Sequence, residues 1–121
     1  MPAFLRIVVA VGGSDAKDVT PFLAIPEMRA LRHDPERVLD VTLLGGAAAD
    51  WAIRMAESNG HVVTVVPGQW PATTALARLQ GTSDKLYLLP SADADAFEAA
   101  SSLGFQALRY APEAGGWRAA D

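Results

Sequence analysis

The stretch Leu43-Leu44-Gly45-Gly46-Ala47-Ala48-Ala49-Asp50 has the residue types that hold an anion. Two glycines let the chain turn sharply and bring its backbone close to whatever sits above it. The alanines that follow have almost no side chain, so amides at the start of a helix stay open, and the helix dipole favours negative charge there. Asp50 in the first turn stabilises that helix. It would repel a phosphate placed directly on it, so its expected partner is a sugar hydroxyl or a loop amide. Gly12-Gly13-Ser14 offers a second set of donors, and Gly13 and Ser14 therefore join Gly45, Gly46 and Ala47 as candidate ligand contacts. Trp70 follows a Pro67-Gly68 turn and could cover a base; Trp51 could do so too, or serve in helix packing or a subunit contact.

Other chemistry has less to stand on. His33 and His61 are the two histidines, and neither has a carboxylate or second histidine at metal-ligand spacing. Ser14 lacks the Gly-x-Ser-x-Gly setting of a serine hydrolase. Gly12-Gly13-Ser14-Asp15 has neither the Gly-x-Gly-x-x-Gly of dinucleotide folds nor the lysine of a P-loop. Asp93 and Asp95, two residues apart, do not share a helix face and read as helix-start charges. The sequence implies no metal and no cofactor.

These loops need a frame. Residues 4–11 (FLRIVVAV) are rich in β-branched side chains and end at Gly12-Gly13, which reads as a buried strand. Residues 14–32 read as a helix in two parts, because Pro26 inside a helix loses a hydrogen bond and clashes with the preceding turn, while Thr20-Pro21 suits a helix start. Strands are expected over 38–44, 61–66, 85–89 and 105–110. Helices are expected over 47–58, 72–79 and 93–103, with Asn59-Gly60 and Gly104 as stops. Residues 111–121 read as a C-terminal tail of uncertain order. Strand and helix thus alternate through residues 1–110. That pattern predicts one α/β domain, a Rossmann-like three-layer sandwich with a five-stranded parallel sheet in the order 3-2-1-4-5. Ligands in such sheets sit beyond the carboxyl ends of the strands, where strand order reverses. The loops after strands one to four would meet there.

Composition narrows the setting. A chain of 121 residues suits one domain that can bury a core without metal or disulfides. The formal net charge of −4 and the absence of a basic stripe argue against a nucleic-acid partner. The chain has no cysteine, which removes thiol chemistry and suits the cytoplasm. Arg6 interrupts the apolar start, so no secretory signal is expected, and no apolar run approaches the roughly 20 residues of a membrane helix.

The order RIVVAVGGSD, then VTLLGGAAADWAIRMAESNGHVVTVVPGQWP, ALARL and DKLYLLP, resembles the SLOG superfamily. These are Rossmann-like relatives of the Lonely-guy phosphoribohydrolases and of DNA-processing protein A, and the YspA-type branch is the most similar. The resemblance spans residues 5–110. Gly45, Gly46, Ala47 and Asp50 match the turn after the second strand, Met55, Ala56 and Gly60 the helix and its end, and Pro67, Trp70 and Arg78 the next loop and helix. It implies a nucleotide or nucleotide-derived ligand, in some members for sensing, with Arg78 adding positive charge. The sequence departs from the family in three places. Gly13-Ser14-Asp15 stands for Gly-Ser-Arg, Arg78-Leu79 for Arg-Asn, and Ser91-Ala92-Asp93 for the glycine-rich loop that holds phosphate in the hydrolases. Binding is therefore expected ahead of hydrolysis. The alternatives are a nucleoside monophosphate phosphoribohydrolase and a non-catalytic oligomeric scaffold that has lost the pocket. A homo-oligomer, in its simplest form a homodimer, is expected through the flanking helices and Trp51. Trp117, with no evident partner in its own chain, points the same way.

Overall fold

Alternating β-rich and helical segments fold as successive β–α units. A computed structural model describes residues 3–11, 20–44, 50–66, 72–79, 81, 85–90 and 94–120. In chain order the elements are β1 (Ala3–Ala10), α1 (Thr20–Leu23), α2 (Pro26–Ala30), β2 (Arg37–Leu44), α3 (Asp50–Ser58) and β3 (Val62–Val65), then α4 (Ala72–Leu79), β4 (Lys85–Leu88), α5 (Ala94–Leu103) and β5 (Gln106–Ala111), and finally a 3-10 turn (Pro112–Ala114) and β6 (Gly116–Ala119). The two-part helix after β1 has the cause read from sequence: Pro26 opens α2, and Ile25 before it is extended at φ −63° and ψ 122°.

The sheet runs β3-β2-β1-β4-β5-β6. Strands β1 to β5 pair in parallel, and β6 lies antiparallel on β5. The expected 3-2-1-4-5 order is thus present inside a mixed sheet of six strands, not five. The sixth comes from residues assigned to the tail. The chain turns at Gly115, whose φ of 88° suits glycine, and returns so that Trp117 faces Tyr110 in the register. Trp117 therefore has partners in its own chain: its ring meets Tyr87 edge-on at 5.0 Å and Tyr110 at 5.4 Å. Composition alone does not reveal this, because a glycine pair that suits a loop here turns a hairpin.

Burial on both faces explains the near-continuous apolar runs of β1 and β2. Ile7, Val9, Leu39, Val41 and Leu43 project to one face, where Phe22, Ile25, Met28, Ala52 and Ala56 of α1, α2 and α3 cover them. Val8, Ala10, Leu44, Leu86 and Leu88 project to the other, under Ala75, Leu76, Ala96, Ala99 and Ala100 of α4 and α5. Each fully buried branched or aromatic side chain contributes roughly 1.5–3 kcal/mol relative to exposure. Among the described residues no helix is long and apolar enough to cross a membrane.

A candidate ligand site at the carboxyl edge

The ladder continues one residue past the strand ends. The Val11 amide donates to the Leu44 carbonyl at 2.9 Å, Val66 to Leu43 at 2.9 Å and Leu89 to Ala10 at 3.2 Å. These bonds set the residues that precede Gly12, Gly45, Pro67 and Pro90 side by side along one edge. The crossovers from β1 and from β4 leave in opposite directions, so the reversal of strand order lies between these neighbours. All four loops singled out in the sequence therefore start from the edge where α/β sheets hold ligands.

Gly13, Ser14, Gly45, Gly46, Ala47 and Trp70 lie outside the described residues. Asp50 opens α3 and is exposed. Arg78 is also exposed, in the last turn of α4. A parallel crossover carries the chain from the carboxyl edge back to the amino edge. Arg78 therefore sits roughly 9 Å further along its helix than Ala72, at 1.5 Å per residue. The fold places Asp50 near the loops and Arg78 toward the opposite end of the layer.

The remaining aromatic and histidine candidates are structural in their contacts. Trp51 is half-buried and meets Phe22 edge-on at 5.4 Å, with its Nε1 buried and without a partner. His33 is exposed at φ 52°, and its amide donates to the Asn59 carbonyl at 2.9 Å. That bond ties the exit of α2 to the end of α3. His61 is buried, and neither ring nitrogen has a hydrogen-bond partner. Burial pushes its pKa below the ordinary value; the Met28 backbone opposes this, and by more than the nearby His33 adds to it. Among the described residues no group of three His, Asp or Glu side chains is placed to hold a metal.

Two polar clusters were not foreseen. On the α4–α5 face Asp40 is 2% exposed. Its Oδ2 accepts from Arg6 Nε at 3.2 Å, Arg6 Nη2 at 3.0 Å and Thr64 Oγ1 at 3.2 Å, and its Oδ1 accepts from Thr42 Oγ1 at 3.4 Å. A buried carboxylate is tolerated when a cation and hydroxyls complete it in this way. On the other face the Tyr87 hydroxyl donates to Glu27 Oε1 at 2.5 Å, and Lys85 Nζ lies 3.8 Å from Glu27 Oε2. Burial first, and then the Glu27 carboxylate, push the tyrosine pKa well up. This keeps Tyr87 a donor and fastens α2 to β4. The signal for the first cluster was present: an acid and an arginine, each interrupting an otherwise apolar strand, require one another. Nothing local marks the second, which joins residues 60 apart.

Comparison with protein-family models, with curated proteins and with solved structures gives no match.

Proposed function

We propose that the chain binds a nucleotide or nucleotide-derived small molecule at the carboxyl edge, as a SLOG-like domain whose hydrolytic glycine-rich loop has been replaced. The observation that supports this is the alignment of Val11, Leu44, Val66 and Leu89 at the reversal of strand order, which starts the glycine-bearing loops from one place. In this reading the amides of Gly45, Gly46 and Ala47 hold a phosphate. Gly13 and Ser14 line the other side, Asp50 takes a sugar hydroxyl, and Trp70 covers the base. Arg78, in the last turn of α4, acts only as a distant charge.

Isothermal titration against AMP, ADP and ADP-ribose tests it. At least one should bind, and Asp50→Ala should weaken that binding about tenfold, or about 1.4 kcal/mol. Absence of heat with all three, with the protein folded by circular dichroism, removes the proposal. Release of free base from AMP in the same samples would move the reading to the hydrolase.

A further inference from the structure

A cleft of about 360 Å³ opens between α1, α2 and α3, lined by Leu23, Met28, Arg29, Arg32, Met55 and Asn59. Its size falls at the lower end of small-molecule sites, which run roughly 300–1,000 Å³. Two features distinguish it from an incidental groove.

The first is charge. Arg29 in the last turn of α2 and Arg32 just past its end are both exposed. Arg6 pairs with Asp40 and Arg37 with Asp34. The chain has fourteen acidic residues against ten basic ones, yet among the described residues none forms an ion pair with Arg29 or Arg32. The second feature is the apolar lining. Met28 is almost fully buried, Met55 is half-buried, and Leu23 keeps 40% of its surface exposed. Methionine side chains adapt to varied aliphatic and aromatic shapes.

We propose that this cleft is a second binding site, separate from the carboxyl edge, for a small amphiphilic anion. A carboxylate or phosphate-monoester head sits between Arg29 and Arg32, whose guanidinium forks match such oxygens. The Asn59 amide is at hand as a further donor. The hydrocarbon body lies over Leu23, Met28 and Met55. The head and the body each need the other, because exposed guanidinium–anion pairs in water contribute little on their own.

The test uses the full chain with 13C-labelled methionine methyls. Octanoate and octyl phosphate, titrated below their micelle-forming concentrations, should shift Met28 and Met55 saturably. Whichever head binds more tightly identifies the source chemistry. Inorganic phosphate and 1-octanol should bind at least tenfold more weakly than the better amphiphile. R29Q/R32Q should weaken that amphiphile at least tenfold. Leu23→Ser, at an exposed position, should weaken it about threefold while leaving inorganic phosphate unchanged. The proposal is overturned by any of three results with folded protein: no saturable shift with either amphiphile, equal affinity in the double variant, or 1-octanol binding as tightly as the better amphiphile.

Discussion

On one face the sheet, which itself carries Trp117, meets Phe22, Ile25, Met28 and Trp51; on the other, among the described residues, the buried helix residues are Leu76 and the alanines Ala75, Ala96, Ala99 and Ala100, with Leu79, Phe97 and Leu103 partly buried beside them. Bulky side chains on the α1–α3 face fill the layer from the helix side and bring polar atoms with them. The Tyr87 hydroxyl finds Glu27, whereas the indole nitrogens of Trp51 and Trp117 and both nitrogens of His61 are buried without partners. Alanines on the α4–α5 face bring helix backbone close to the strands, and the buried polar groups there belong to the sheet itself, in the Arg6–Asp40–Thr42–Thr64 cluster. One layer is held by large interlocking side chains and the other by close approach. They should fail in opposite ways.

The largest effect is expected on the first face. Phe22 has no exposed surface and meets Trp51 edge-on, so Phe22→Ala should cost about 3–5 kcal/mol in urea denaturation. Ala100, also without exposed surface, has the opposite weakness: Ala100→Leu should cost about 1–3 kcal/mol through overpacking. A stabilised Ala100→Leu protein would mean that the alanine face holds unfilled space, and the contrast between the layers would collapse.

The contrast also explains what could be read in advance. Four parallel strand pairs and the break at Pro26 were legible because β-branched runs, glycine stops and proline act locally. The alternation of Leu39, Val41 and Leu43 with Asp40 and Thr42 in β2 held enough to place a polar group on one face, but not its partner, because Arg6 lies 34 residues away. β6 escaped for a different reason. Its four residues include one large apolar side chain, Trp117, and their pairing depends on a turn at Gly115 and on the Tyr87 and Tyr110 rings already in place. The candidate ligand loops show the reverse balance. Their residue types carried the chemical reading, while the fold contributes the common edge from which they start.

An intermediate effect is expected at Asp40. Removing it with Asp40→Ala leaves the Arg6 guanidinium, whose side chain is 27% exposed, and the hydroxyls of Thr42 and Thr64 without their shared acceptor. Losing one partner of a fully buried pair costs about 3–5 kcal/mol. Arg6 retains some access to water, so about 2–3 kcal/mol is expected here, a reduction from that range. The double variant R6M/D40L removes both charges and should recover most of the loss. A double variant no better than Asp40→Ala would show that packing at Asp40, and not the orphaned cation, sets the cost.

The smallest effect is the most specific to the first face. His61 is buried without a hydrogen-bond partner on either ring nitrogen, and burial lowers its pKa in the folded chain from the ordinary 6.5. The unfolded chain therefore binds more protons in the window below pH 6.5, and stability rises with pH there. The His61 contribution is complete above 6.5, declines as pH falls below that value, and levels off once pH passes the folded pKa. The groups that face the ring are the Met28 backbone, which opposes the shift, and His33, which adds to it. Urea midpoints measured between pH 5 and 7.5 should rise for the wild type. His61→Leu, which removes both unpaired nitrogens, should flatten that rise and be at least as stable at pH 5. Equal slopes for the two proteins would mean that the ring is solvated when charged, and that the α1–α3 face admits water where its large side chains are taken to exclude it.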